Sequence, residues 1–331
     1  MKRNPVIFFA AFIFVIFSCY RDIDMEKHRP EPDLVLYGVI SADTAVMISI
    51  SRTKFFTDTS RYETVNDAEI SLTVNGHFQE NMRWSADKSF YGGGVYLSDY
   101  MPQTGDAVRI EARTGYGDVW VEETVPAKVQ LENVTCSYKL IYDSKRYIHD
   151  DDGNIIEVPD WEITYRITFT DNADIPNFYS IRIENPSPWN AIGNLNYNSE
   201  PVFIEQESVV DDLFGANTIT GQGGRAFTDK LFNGQCYTLA VNETHLSSNY
   251  GDIPPALLYR RIILYSITES YYNYLKSMQM AFDVENSTNL STFGFAEPVR
   301  IFSNIQGGAG IIATSNFDSF SIDLAETLPD Y

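Results

Sequence analysis

Between Trp161 and Phe169 every second residue is apolar, and the residues between them, Glu162, Thr164, Arg166 and Thr168, are polar. A strand turns successive side chains to opposite faces, so this run commits the segment to a sheet with one buried and one wetted side. The same period recurs at Val46-x-Ile48-x-Ile50 and at Ile70-x-Leu72-x-Val74. The latter runs into Asn75-Gly76, a pair that tolerates the positive φ angles of a two-residue hairpin turn. Segments 108–111 and 119–122 continue the series, and residues 34–39 are apolar on both faces, as a buried strand is.

These runs predict a mainly β protein built as two β-sandwich (immunoglobulin-like) domains. The first spans 33–127 and leaves through Val125-Pro126, because proline cannot donate to a central ladder. The second spans 128–331, with strands expected at 134–142, 161–169, 178–184, 236–242 and 260–267, and with Asp150-Asp151-Asp152-Gly153-Asn154 at a hairpin tip. Abundant Asn, Gly, Ser and Pro between Glu184 and Asp229 predicts long loops on that scaffold. One helix is expected at 269–282. Thr268 can cap it, Glu269 suits the positive end of its dipole, and Tyr271, Leu275, Met278 and Phe282 form one apolar stripe to pack on the second sheet.

The N-terminus reads as an address. Lys2 and Arg3 precede a wholly apolar run from Val6 to Phe17 that stops at Ser18-Cys19. This is a secretory signal peptide over 1–18, too short for a bilayer span of about 20 residues. A cysteine at the first mature position resembles the bacterial lipobox, with Ile16 and Ser18 in keeping and Phe17 bulkier than usual; Cys19 is the expected lipid-attachment residue. Acyl chains hold a protein at a membrane through about 0.8 kcal/mol per buried methylene. Residues 19–32 then form a tether, with Asp22, Asp24 and Glu26 resembling the acidic signal that sends Bacteroidota lipoproteins to the cell surface. Arg29-Pro30-Glu31-Pro32 stiffens its end.

Composition narrows the chemistry. The formal charge is −21, and loss of Lys2 and Arg3 leaves 22 basic against 45 acidic residues, so nucleic acid is excluded as a partner. His28, His77, His149 and His245 are scattered, with no metalloprotease pair and no nucleophile elbow, so neither a catalytic residue nor a metal or cofactor site is expected. The acidic tip at 150–154 lacks the register of a calcium loop. Cys136 and Cys236 are an even pair in an oxidising compartment, which allows a disulfide; each also fits as a small apolar residue inside an expected strand. Trp189 and Tyr197, in a polar loop, are candidate ligand or partner contacts, although such rings also fold over their own sandwich.

Several segments together carry a family resemblance. They are Leu34-Val35-Leu36-Tyr37-Gly38-Val39-Ile40-Ser41, Phe227-Thr228-Asp229-Lys230, Tyr274-Leu275-Lys276-Ser277, Phe295-Ala296-Glu297-Pro298 and Ser303-Asn304-Ile305-Gln306-Gly307-Gly308-Ala309-Gly310-Ile311. In this order the chain resembles a Bacteroidota lipoprotein family, domain of unknown function 4249, over nearly its whole length. Gln306, Ala309 and the Ile311-Ile312 pair depart from its usual pattern. The resemblance implies an accessory outer-membrane lipoprotein working beside a TonB-dependent receptor, and it brings no activity or site residues. The glycines of the closing segment permit positive φ or close backbone approach; with strand-like residues after them and no lysine nearby, they do not form a phosphate loop. The expected function is therefore a non-catalytic accessory or ligand-binding module at the outer membrane, lipid-anchored and facing the cell surface. A structural surface protein (adhesin or fibre subunit) is the alternative, and a glycan-binding or hydrolytic protein the third.

Overall fold

The computed structural model describes residues 24–59, 63–88, 93–141, 147–149, 152–157, 160–185, 194–197, 200–204, 209–211, 224–245, 259–286 and 299–324. Strands β1 (Leu34–Ser41), β2 (Met47–Arg52), β3 (Glu63–Thr64), β4 (Glu69–Val74), β5 (His77–Asn81), β6 (Arg83–Ser85), β7 (Val95–Leu97), β8 (Ala107–Thr114) and β9 (Gly117–Thr124) come first. They are followed by β10 (Leu131–Ile141), β11 (Tyr147–His149), β12 (Ile155–Glu157), β13 (Asp160–Thr170), β14 (Phe178–Glu184) and β15 (Asn194–Asn196). The series closes with β16 (Val209–Asp211), β17 (Gly224–Thr228), β18 (Cys236–His245), β19 (Tyr259–Ile267) and β20 (Ala309–Asp323). The long helix is Glu269–Asn286.

Two sandwiches share one sheet. A ten-stranded sheet runs in the order β16-β17-β14-β19-β20-β1-β2-β7-β6, with β3 beside β2. The sheet β5-β4-β8-β9 covers one half of it and β10-β13-β18-β15 the other. In the first sandwich Leu36, Ile48 and Ile50 pack against Ile70, Leu72, Ile110 and Val121. In the second, Ile163, Tyr165, Ile167, Phe169, Leu239 and Val241 pack against Tyr179, Ile181, Ile183, Phe227, Ile262 and Leu264. Each fully buried aliphatic side chain contributes about 1.5–3 kcal/mol. The alternation at 161–169 therefore sits as expected, and the Asn75-Gly76 turn has φ of 52° and 77°.

The link between the halves is β20. It pairs in parallel with β1 from Val35↔Ala309 to Ser41↔Ser315, then antiparallel with β19 from Ile267↔Ser315 to Tyr259↔Asp323. One strand thus serves both sandwiches, changing partner near Ser315. At that crossing Thr314 donates to the Thr124 carbonyl (2.8 Å), and the Asn316 amide donates to Thr104 Oγ1 (2.8 Å) and the Pro126 carbonyl (3.2 Å). Its consequence is that Ile305 and Ile312 belong to the first core, so the division at 127/128 is crossed by the C-terminal segment.

The closing glycines explain how β20 fits. Gly310 has φ of 106°, and a Cβ there would stand 2.0 Å from the Leu36 carbonyl oxygen. Gly307 has φ of 80°, and its Cβ would meet the Asp118 carbonyl at 2.6 Å. Their role is close backbone approach, as β20 enters between β1 and β9. Asn304 holds the turn, accepting from the Ile312 N–H and donating to the Ile312 carbonyl (2.8 Å).

The long helix lies on the outer face of the shared sheet. Tyr271, Tyr272 and Leu275 pack on Ala226, Ile311 and Ala313, with Tyr37 and Val39 of β1 beneath. The expected stripe is corrected in part: Tyr271 and Leu275 are buried, whereas Met278 is 44% exposed, because the buried contact is confined to the first two turns. The Phe282 side chain lies outside what the structure describes. Nor is residue 29 a loose spacer. Arg29 makes paired bonds to Asp58 (2.9 and 2.8 Å) and bonds Glu26 (2.8 Å), docking the end of the tether on the first sandwich.

Candidate functional site

The register of the strands gives the molecule two poles. β1 and β20 start together at Leu34 and Ala309, next to the docked tether. β20 has fifteen residues, so at roughly 3.3 Å per residue its far end lies roughly 45 Å away. At that far end β10 gives way to β13 (Ile141↔Asp160), β14 ends at Glu184, β17 begins at Gly224, β18 ends at His245 and β19 begins at Tyr259. The connections 142–159, 185–193, 212–223 and 246–258 therefore all leave from one pole. From the first of them β11 and β12 pair only with each other. Tyr147, Ile155 and Tyr259 are large apolar side chains exposed by 58%, 67% and 50% at this pole.

At this pole the second core holds charge. Arg260 and Glu243 are both fully buried, and the guanidinium grips the carboxylate through Nε (2.9 Å) and Nη2 (2.6 Å). The Tyr165 hydroxyl donates to the same carboxylate at 2.6 Å. Burial pushes the Tyr165 phenol well above its usual range, and the Glu243 charge adds to the effect. For Arg260 burial opposes the charge, but the bonds and charge of Glu243 prevail and raise its pKa. Such a grip fixes the relative positions of β13, β18 and β19 at this end of the sandwich.

The residues expected from sequence fare differently. Tyr197 is not an exposed contact: it is only 6% exposed, packs edge-on against Phe203 at 5.1 Å, and has Arg225 5.6 Å above its ring. It follows β15 at the inner side of the sandwich, so burial claims the ring. Its hydroxyl, buried without a hydrogen-bond partner, is raised in pKa by that burial. Cys19 and Trp189 lie outside the described residues, as do Asp150 and Asp151. Trp189 nevertheless belongs to a connection that leaves the far pole.

The disulfide between Cys136 and Cys236 is corrected. Both are thiols. Cys136 is opposite Tyr165 and Cys236 opposite Thr170, on the two sides of β13. Two strand spacings of about 4.8 Å and five steps of about 3.3 Å separate them, whereas a disulfide needs Cα atoms within about 7 Å. Among the described residues no group of three or more His, Cys, Asp or Glu is placed to hold a metal, and no helix is long and apolar enough to cross a membrane.

Sequence reasoning passed over Arg260 and Glu243. The signal was present, since Leu239, Val241 and Glu243 share one strand face, and a charge continuing an inward series marks a buried pair.

A family model described as a domain of unknown function (DUF4249) matches residues 21–321. The chain belongs to this family. The search of curated proteins finds no match. Among solved structures, the chain is similar to the β-glucuronidase of Parabacteroides merdae, at 13% identity and a TM-score of 0.21, covering 72% of this chain and 24% of that one. The DUF4249 chain thus spans about a quarter of that enzyme's length, and a likeness at this score carries no argument about activity.

Proposed function

We propose that this DUF4249 protein is a lipid-anchored outer-membrane protein, exposed at the cell surface, that serves as a non-catalytic docking or ligand-presenting module beside a TonB-dependent transporter. The observation that carries the reading is polarity of form. The tether docks at one pole through Arg29, and the strand ends from which four connections leave lie at the other, roughly 45 Å distant, with Tyr147, Ile155 and Tyr259 exposed there. A body anchored through Cys19 would hold that far pole away from the lipid and within reach of a neighbouring receptor. Loops on a rigid scaffold suit recognition, and exposed aromatic side chains suit a partner interface. The acidic balance of the chain from residue 19, 45 acidic against 22 basic residues, keeps the body clear of anionic headgroups.

A photo-crosslinking amino acid placed at Ile155 or Tyr259 in cells, with Phe56 near the tether as control, tests this reading. The expected product is a receptor adduct from the far-pole sites and none from Phe56. A ladder of self-adducts would replace the reading with a fibre subunit, and the absence of any adduct from the far pole would refute docking there.

A further inference from the structure

Among the described residues Phe56 is the most exposed large apolar side chain, at 70%, and its place is fixed. It stands at the tip of a β-turn over 55–58 that follows β2. The Asp58 N–H donates to the Phe55 carbonyl (2.9 Å), and the Phe55 N–H donates to the Asp58 carboxylate (3.1 Å). Arg29 grips that same carboxylate, and its guanidinium lies 4.8 Å over the Phe55 ring. The Thr57 hydroxyl, next to Phe56, donates to Glu26 at 2.7 Å. The docked end of the tether and the turn that carries Phe56 are one hydrogen-bonded unit.

Tyr116, exposed at the β8–β9 turn, belongs to the same end of the first sandwich. Arg52, the last residue of β2, lies 4.0 Å over its ring and bonds Glu63 at 3.2 Å. The carboxylates around Phe56 are held by cations: Asp24 by Lys27 (3.3 Å), Glu26 and Asp58 by Arg29. The tether's length says what covers these rings. From Cys19 to Asp24 there are five peptide steps, which reach about 18 Å when fully extended. Residues Met25–His28 then form a 3₁₀ turn, and Arg29 is docked. An acyl chain on Cys19 therefore keeps Asp24 within about 18 Å of the lipid, and the headgroup layer takes roughly 5–8 Å of that.

From this geometry we infer that Phe56 and Tyr116 seat the body on a zwitterionic bilayer surface, entering the boundary between headgroups and acyl chains. Aromatic rings favour that layer. Because the neighbouring charges are paired, apolar burial rather than attraction to anionic lipid supplies the contact. The seat holds the first sandwich upright, so the far pole points away from the lipid. The inference rests on acylation of Cys19 and deepens the proposed function by naming the surface that meets the membrane.

The test reconstitutes the lipidated full chain in phosphatidylcholine vesicles with brominated acyl chains, carrying Phe56→Trp, Tyr116→Trp or, at the far pole, Ile155→Trp. Bromine should quench the added tryptophan at 56 and 116, beyond the parent's own change, and leave it unquenched at 155. In the Tyr116→Trp chain, Phe56→Ser should cut the added quenching about twofold or more. Phe78→Ser, exposed beside the Asn75-Gly76 turn at the other end of this sandwich, should leave it unchanged. Flotation with the vesicles reads the anchor, and quenching reads the seat. A chain that floats unquenched at 56 and 116, or equally quenched at 155, would overturn the seat and leave the anchor standing. A chain that does not float would overturn the anchor and the inference with it. Quenching that appears only with added phosphatidylglycerol and vanishes in salt would replace aromatic seating by charge. A protein adduct from a photo-crosslinker at Phe56, in place of a lipid adduct, would overturn the lipid assignment.

Discussion

Replacing Arg260 by Met takes the guanidinium from the fully buried Glu243 carboxylate, to which the Tyr165 hydroxyl still donates. Removing one partner of a buried ion pair costs about 3–5 kcal/mol, because the other charge stays desolvated. Glu243→Gln should cost a similar amount by stranding the guanidinium. The triple change Arg260→Met/Glu243→Leu/Tyr165→Phe removes the charges and the phenol together, and should return the second sandwich to within about 1 kcal/mol of the parent. Urea unfolding followed by near-ultraviolet circular dichroism reads the difference. With a slope of about 2 kcal/mol per molar urea, the single variants shift the midpoint by roughly 2 M. Single variants costing less than about 1 kcal/mol, or a triple variant as unstable as the singles, would refute the reasoning.

Three further outcomes follow from the same geometry. Gly310→Ala places a methyl 2.0 Å from the Leu36 carbonyl at a φ of 106°, so it should abolish soluble folding or lower stability by several kcal/mol, read by thermal melting. Glu80 is held below the usual carboxylate range by the Ser98 hydroxyl and the Tyr100 and Asp99 N–H groups, and Asp106 by the Gln103 N–H, the Asn75 amide and the Tyr100 hydroxyl. Because their native pKa values lie below the unfolded ones, the stability they supply is present above about pH 4 and lost as pH falls further; Glu80→Gln/Asp106→Asn should flatten the melting temperature's fall below that pH. Asp229, raised by burial, acts in the opposite sense. Alkylation of the unfolded, unreduced protein should label both Cys136 and Cys236, and labelling that requires prior reduction would contradict the register.

What the sequence shows and what it hides divide along physical lines. Period-two alternation is local, so β4, β13 and the Asn75-Gly76 hairpin could be read directly from neighbouring residues. The parallel pairing of β1 with β20 could not, because Ser41 and Ser315 stand 274 positions apart and no local signal encodes which distant strand arrives beside Leu36. The glycines at 307 and 310 announced a close approach without naming the Asp118 and Leu36 carbonyls they approach. Polar neighbours say nothing of how Tyr197 is oriented, and just past β15 the ring packs into the second core beside Phe203. Arg260 and Glu243, by contrast, could have been found by following the inward face of β18 one step past Val241.

An acyl chain at Cys19 would turn this two-pole body into a membrane-bound one. Intact-mass analysis of the protein extracted from its native membranes tests this most directly. The predicted result is a chain beginning at residue 19 and carrying the added mass of acyl groups. A chain with an unmodified sulfur at position 19, or one recovered from the medium, would contradict it.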